Sequence, residues 1–251
     1  MAKSHTCAQN TYTISGKSVT LYEISTRSSN IKVMSFARKH NQAKMVKTLP
    51  ESGEYGINAS WFAIDGDKHI MNLAYQNGER QGSILDDSKV QVVEGVITDG
   101  FTNSVGKSAI FRANGVLGFS SNIVNSSSSL VSNSTWLQGS INLFLGESGG
   151  ETKLDIEREG LYGGDARRSA MVADLTNDKV YLFAVTQGIP PATLRAVIMK
   201  RLSIQESNTT HKYRGIMLDG GGSTQMVGAT ITLRSSINRP IPQIVGLNDK
   251  T

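Results

Sequence analysis

Three consecutive glycines between polar side chains form the segment of this sequence best suited to bind or react with a ligand. Its residues are Asp219, Gly220, Gly221, Gly222, Ser223 and Thr224. Glycine loses the most backbone entropy on ordering, so such a run is costly in a folded segment. Apolar residues on both sides predict a strand, a tight turn and a second strand. Successive N–H groups in such a turn form an anion site; a hairpin turn or β-bulge without a ligand is the alternative.

The glycine run does not match three common functional motifs. Thr224 is followed by Gln225, and no lysine precedes Ser223, so there is no phosphate loop of the Gly-x-x-x-x-Gly-Lys-Ser/Thr type. No Gly-x-Gly-x-x-Gly opens a helix, and Gln225 replaces the second glycine of a Gly-x-Ser-x-Gly elbow. The sequence therefore disfavours a nucleotide triphosphatase, a dinucleotide oxidoreductase and an α/β-hydrolase.

Two further segments carry polar groups next to apolar strands. Arg167, Arg168 and Ser169 lie at the start of one strand, and arginine suits forked recognition of phosphate or carboxylate. A solvated arginine pair is the alternative. Asn58 and Ser60 are two residues apart in a second strand and thus share one face. Buried polar groups need partners, so this face is expected to meet a polar site.

In this order the three segments resemble the phosphodiester glycosidase family, which includes the domain of the lysosomal enzyme that uncovers mannose 6-phosphate. Residues 58–62 are similar to its Asn-Gly/Ala-x-(Phe/Tyr)-Phe, 168–170 to its Arg-Thr/Ser-Ala, and 218–224 to its Leu-Asp-Gly-Gly-Gly-Ser-Thr/Ser. Residues 238–242 also look like its closing Arg-Pro-Val-Pro. The resemblance spans residues 12–247. It departs from the family at residues 59–61, where glycines are more usual, and in the polar insert at 120–134.

The resemblance implies a hydrolase that cleaves the bond between a sugar and a phosphodiester and leaves a phosphomonoester. Arg168 and the three glycine amides would hold phosphate charge. Asp219 would support the positive charge developing on the sugar or move a proton, and Asn58 is the third catalytic candidate. The expected substrate-binding residues are Ser60, Arg167, Ser169, Gly220, Gly221, Gly222, Ser223 and Thr224. A second carboxylate stays open among Glu147, Asp65 and Asp165.

Two alternatives keep the same pocket. The first is hydrolysis of a nucleotide-type phosphodiester signal, cyclic or ADP-ribose-like, by which a phage would counter host defence; Trp61 could stack on the base. The second is a sugar- or phosphate-binding module that sequesters its ligand without turnover.

Length and charge fit one compact domain with a small anionic ligand. The chain has 251 residues, which is enough to bury one sizeable core. Its net charge of +5 predicts a weak preference for anionic ligands. The expected domain covers residues 12–247, with 1–11 as an N-terminal extension. The basic residues are scattered, so nucleic acid is not expected as the main partner. No apolar run approaches a membrane span, and Cys7 is the only cysteine.

The compartment, the cofactor and the oligomeric state are less constrained. Residues 1–6 are not apolar, which predicts a cytoplasmic protein of a bacterium or of a phage-infected host. No histidine pair has metal-ligand spacing. No cofactor is expected with certainty, although Asp65, Asp67 or Asp219 could hold a divalent cation. The oligomeric state is left open.

Strand patterns dominate the chain. Strands are predicted near residues 18–24, 31–36, 90–97 and 109–111, and the alternating acids of 154–159 are interpreted as one strand face. One helix is predicted after Pro190 and Pro191, with Leu194, Val197 and Ile198 at helical spacing. The predicted fold class is α+β, with a mixed β-sheet core and few helices.

Overall fold

The computed structural model describes residues 5–36, 48–59, 61, 73–81, 91–93, 96–98, 108–121, 129–157, 163–206 and 212–248. Its strands are β1 His5–Ile14, β2 Lys17–Arg27, β3 Ile31–Ser35, β4 Gly56–Asn58, β5 Ala74–Gln76, β6 Glu79–Arg80, β7 Gln91–Val93, β8 Val96–Thr98, β9 Ser108–Ala113, β10 Val116–Ser120, β11 Ser134–Asn142, β12 Ala166–Asp174, β13 Lys179–Ile189, β14 Tyr213–Leu218, β15 Met226–Val227, β16 Thr232–Leu233 and β17 Gln243–Leu247. Its α-helices are α1 Leu49–Ser52, α2 Ser129–Ser132, α3 Gly150–Glu157 and α4 Pro191–Leu202, and short 3-10 turns lie at Ser28–Asn30 and Gly221–Ser223.

The described strands form one large sheet, one small sheet and a separate hairpin of β7 and β8. The large sheet runs β1-β2-β13-β12-β14-β11-β5-β6, with β9 and β10 continuing from β11. The small sheet runs β16-β15-β4-β17-β3. Every pairing among the described strands is antiparallel. The predicted α+β class with a mixed sheet is therefore wrong: the chain is β-rich and its sheets are antiparallel.

Both faces of the large sheet are buried, which explains why its central strands are nearly continuous apolar runs. On β12, Ala170 and Val172 pack on one face, and Met171 and Ala173 pack on the other. Helix α4 covers the first face through the buried Leu194, Val197 and Ile198, as its spacing predicts. The small sheet covers the second face through Ile57, Val33 and Val245. The chain thus forms three layers: helix, large sheet and small sheet.

Two local predictions differ from the structure. Residues 154–157 of the acidic segment lie in the helix α3, not in a strand: Leu154 is buried while Glu151 and Asp155 are exposed. A few alternating acids also fit the solvent side of a short helix, so periodicity could not separate the two structures. The predicted strand over 90–97 is two short strands, β7 and β8. Strand β1 begins at His5 and pairs with β2 along its whole length.

The glycine segment has the predicted order of strand, turn and strand. Strand β14 ends at Leu218, the 3-10 turn follows, and β15 begins at Met226. Because β14 belongs to the large sheet and β15 to the small one, the turn lies where the two sheets meet. None of the helices in the described ranges is long and apolar enough to cross a membrane.

Strand β4 can approach β17 only because it begins with glycine. Gly56 has φ of 146°, and a Cβ on it would lie 2.2 Å from the carbonyl oxygen of Val245. We expect Gly56→Ala to destabilise the protein by more than the ~1 kcal/mol typical of alanine at a strained glycine, because the β17 backbone must move. Gly16→Ala is the control: Gly16 also has positive φ, at 77°, but a Cβ there meets nothing within 4 Å. Urea denaturation measures both, and equal losses would contradict the argument.

Candidate functional site

The three segments singled out in the sequence meet at the junction of the two sheets. Strand β12 pairs with β14 so that Ser169 lies opposite Leu218. Strand β4 pairs with β15, which places Ile57 opposite Met226. Asp219, at the end of β14, is connected to the end of β4, because its N–H donates to the carbonyl oxygen of Ala59 at 3.0 Å. The end of β14, the start of β12 and the end of β4 therefore share one site.

The Asn58 side chain joins these segments. It is 1% exposed. Its Nδ2 donates to the backbone carbonyl of Asp219 at 2.7 Å, and its Oδ1 accepts from Ser169 Oγ at 2.8 Å and from the N–H of Gln225 at 3.1 Å. The predicted site residues Asn58 and Ser169 thus lie together in the interior, where they hold the ends of three strands in place. This arrangement suits a positioning role for both side chains.

The glycine turn presents two unused backbone donors. The N–H of Gly220 donates to Asp219 Oδ1 at 2.8 Å. The N–H groups of Gly221 and Gly222 donate to no atom within the described ranges. Both residues are partly exposed, and Gly221 has a left-handed φ of 58°. Neighbouring donors in such a conformation suit an anion, so two of the three predicted glycine amides are available for one.

Gly220 brings the turn against the arginine segment. A Cβ on Gly220 would lie 2.7 Å from the carbonyl oxygen of Arg167 and 3.7 Å from Arg168 Nη1. Arg168 is buried, with its Nε donating to the carbonyl of Ile189 at 2.9 Å and its Nη2 to that of Gly164. Arg167 lies nearer the surface and donates from Nη1 to the carbonyl of Arg234 at 2.9 Å. Of the two predicted arginines, therefore, Arg168 places its side chain next to the turn, whereas Arg167 approaches the turn through its backbone.

Asp219 is a buried carboxylic acid with an altered proton affinity. It is 8% exposed, and burial raises its pKa from 3.8 to about 6. The Ser223 hydroxyl, the Gly220 N–H and the charges of Arg239 and Arg168 lower the pKa but do not offset burial. Asp219 therefore changes protonation state near neutral pH, which suits a group that transfers a proton or supports a developing positive charge.

Arg239 belongs to the site although the sequence did not predict it as a site residue. Its Cζ lies 3.3 Å from where a Cβ on Gly222 would stand, and its charge acts on Asp219. Its guanidinium forms no hydrogen bond or ion pair within the part of the chain described. The available signal was the Arg-Pro at 239–240, which the resemblance to the family's closing motif included.

Two hydroxyls of the predicted binding set are buried. Ser223 Oγ is close enough to Asp219 to lower its pKa, yet it makes no hydrogen bond of regular geometry with any described residue. Thr224 Oγ1 is likewise buried and has no hydrogen-bond partner in the described ranges. Buried polar atoms of native proteins are rarely unpaired, so both hydroxyls are expected to bond to a ligand or water.

The other predicted residues are paired, exposed or not described. Ser60, Asp65 and Asp67 lie outside the described residues, and their roles stay predictions. Both carboxylate oxygens of Glu147 are paired, with Arg214 at 2.9 Å and Lys153 at 3.0 Å. Asp165 is exposed next to Gly188.

Three further features bear on ligands. Trp61 is half-buried and packs against the core cluster that includes Leu194 and Val197. The described residues contain no cluster of three metal-ligating side chains. A groove of about 260 Å³ lies at the end of α4, lined by Leu145, Ile204, Tyr213 and neighbours. None of the predicted site residues lines that groove, so the convergence of polar groups at the glycine turn identifies the candidate site.

Comparison with solved structures relates the fold to an enzyme domain. The catalytic domain of zebrafish N-acetylglucosamine-1-phosphodiester alpha-N-acetylglucosaminidase, auto-inhibited by its pro-peptide, has a TM-score of 0.62 and 12% identity, over 98% of this chain and 83% of that chain. A hypothetical protein from Synechocystis has a TM-score of 0.52 and 14% identity, over 97% and 61% of the two chains. A protein from Burkholderia pseudomallei has a TM-score of 0.50 and 10% identity, over 92% and 74%.

These likenesses establish the fold. No protein-family model matches the sequence, and no curated protein matches it significantly. The predicted resemblance to phosphodiester glycosidases is therefore confirmed at the level of the fold, which this chain shares with the catalytic domain of one such enzyme.

Loss of the Asn58 carboxamide should lower the free energy of unfolding, because it removes the hydrogen bonds that connect the segments of the site. Asn58→Ala would leave the Asp219 carbonyl, the Ser169 hydroxyl and the Gln225 N–H unpaired. Each unsatisfied buried group costs about 1–3 kcal/mol, so we expect a loss of at least ~3 kcal/mol. Ser169→Ala removes only one of these bonds and should cost ~1 kcal/mol. Urea denaturation compares the two variants, and equal losses would show that Asn58 does not join the segments.

Ionisation of Asp219 should lower stability between about pH 4 and pH 6. Its pKa is 3.8 in its ordinary state and about 6 in the fold, so the folded chain holds this proton more tightly than the unfolded chain. The stabilisation is fully present below pH 4 and is lost by pH 6, a change of about 3 kcal/mol at ~1.4 kcal/mol per pKa unit. Asp219→Asn cannot ionise and should gain that amount relative to wild type between pH 4 and 7 in urea denaturation. The same change at exposed Asp155 is the control; a pH-independent difference for Asp219→Asn would contradict the expectation.

Proposed function

We propose that this chain is a hydrolase that cleaves the sugar–oxygen bond of a sugar-1-phosphodiester. The observation that carries the proposal is the arrangement around Asp219: a carboxyl group with a pKa near 6 lies beside two arginines and two unused N–H donors. The fold is that of a catalytic domain whose enzyme acts on an N-acetylglucosamine-1-phosphodiester.

The cationic groups suit the phosphate of the substrate. A phosphodiester carries one negative charge, and the N–H groups of Gly221 and Gly222 can donate to its free oxygens. Arg239 adds a partly exposed guanidinium, and Arg168 adds a buried charge. These donors gain strength as the glycosidic bond breaks, because the leaving phosphomonoester acquires a second negative charge.

Asp219 suits the sugar side of the reaction in its ionised form. The leaving phosphate needs little protonation, because the arginines and amides stabilise its charge. The anomeric carbon becomes positive, and a nearby carboxylate stabilises that charge. The carbon–oxygen bond breaks with its electron pair going to the phosphomonoester, a water oxygen bonds to the anomeric carbon, and Asp219 accepts the water proton and passes it to solvent.

Hydrolysis of a panel of sugar-1-phosphodiesters tests the reaction. Reactions in ¹⁸O-labelled water should place the label in the sugar and none in the phosphate, because the sugar–oxygen bond breaks. Asp219→Asn should lower kcat by at least about a hundredfold, as expected for loss of a group that moves a proton. Asp155→Asn, an exposed carboxylate on α3, should retain activity. Label in the phosphate would show attack on phosphorus, and tight binding without turnover would show a sequestering module.

The pH dependence tests the role of Asp219. If the ionised carboxylate is the active form, kcat/KM rises through an apparent pKa near 6, the value set by burial of Asp219. Asp219→Asn should lose this acid limb along with most of its activity. Activity that instead falls as pH rises through 6 would assign the protonated carboxyl as the active form and overturn the mechanism.

A further inference from the structure

Residues 234–239 form a wall beside the glycine turn that is fixed by hydrogen bonds to Arg167, Gly222 and Gln225. Ser235 Oγ donates to the carbonyl of Gly222 at 2.6 Å and accepts from the N–H of Arg239 at 2.8 Å. Gln225 Nε2 donates to the carbonyl of Arg239 at 2.8 Å. Gln225 is itself fixed, because its N–H donates to Asn58. The same network that builds the site therefore also places this wall.

The wall holds an exposed isoleucine over the turn. Ile237 is 62% exposed, although large apolar side chains in the core are fully buried. Its Cδ1 lies 2.8 Å from where a Cβ on Gly222 would stand, so it occupies the space that glycine leaves open. An apolar side chain is thus held in solvent at the edge of the two unused N–H groups.

Arg239 converges on the same point. Its Cζ is 3.3 Å from the same Cβ position of Gly222, and it has no ion pair with any described residue. A cation and an apolar group therefore lie side by side over one edge of the anion-binding turn. A ligand that satisfies both carries a phosphate next to an apolar group.

We infer that this wall selects the alcohol on the far side of the phosphate, and that this alcohol is apolar, alkyl or aryl. The inference rests on the proposed function, since it places the phosphate at the Gly221 and Gly222 amides. Arg239 binds a phosphate oxygen, and Ile237 contacts the carbon atoms attached to the ester oxygen. A glycerol or sugar alcohol would place hydroxyls against Ile237 and gain nothing from it.

The test compares phenyl and glyceryl esters of one sugar 1-phosphate. Wild type should favour the phenyl ester, and Ile237→Ser should reduce that preference about fivefold to tenfold through KM, the contribution of one partly buried aliphatic side chain. The glyceryl ester should be unaffected. Arg239→Gln should lower kcat/KM for both esters by about tenfold to a hundredfold, as for a charged hydrogen bond. Ile156→Ser, which changes a similarly exposed isoleucine, and Arg27→Gln, which changes an exposed arginine, both outside the site, are the controls.

Binding of the expected products makes the test independent of turnover. Calorimetry with phenyl phosphate and glycerol 1-phosphate measures the contacts with Ile237 and Arg239 directly, because neither of these expected products needs to be hydrolysed. Selective weakening of phenyl phosphate by Ile237→Ser supports the wall even if no phosphodiester is cleaved, in which case only the proposed function fails. Equal effects on the two ligands, or none, would overturn the inference whether or not hydrolysis occurs.

Discussion

The candidate site depends on the hydrogen bonds of a single carboxamide. Asn58 has a donor for the Asp219 carbonyl and an acceptor for the Ser169 hydroxyl and the Gln225 N–H. An aspartate would lack the donor, and a leucine would satisfy none of the three groups. Because these partners belong to both sheets and to the glycine turn, the positions of the catalytic candidate and of the wall over Gly222 follow from this one side chain.

The second constraint is electrostatic. Burial raises the pKa of Asp219, and the Ser223 hydroxyl, the Gly220 N–H and the two neighbouring arginines together bring it back only to about 6. The arginines in turn are not neutralised by Asp219 alone, so the site keeps positive charge for a ligand. A better-paired site would be more stable and less able to bind an anion, the usual conflict between stability and function.

The sequence predicted the features that depend on neighbouring residues and missed those that depend on contacts between distant segments. Three glycines between apolar strands indicate a turn whatever surrounds it, and the prolines before Leu194 mark a helix start. The antiparallel direction of every pairing was not predictable, because the apolar pattern of a strand indicates which of its faces is buried but not which strand it pairs with. Arg239 was missed for the same reason: its place at Gly222 depends on contacts with Ser235 and Gln225, which the local sequence does not reveal.

The junction of two sheets explains why the site can be both buried and open. The backbone of Asp219 is fixed by the ends of β14 and β4, which shields its carboxyl from water and raises its pKa. Gly221 and Gly222 leave the sheets before β15 begins, so their N–H groups have no strand partner in the described chain. A continuous strand would have paired these donors, and an ordinary loop would have exposed the acid. The glycine run is therefore where the chain changes sheets, and that change supplies both a protected carboxyl and unpaired donors within three residues.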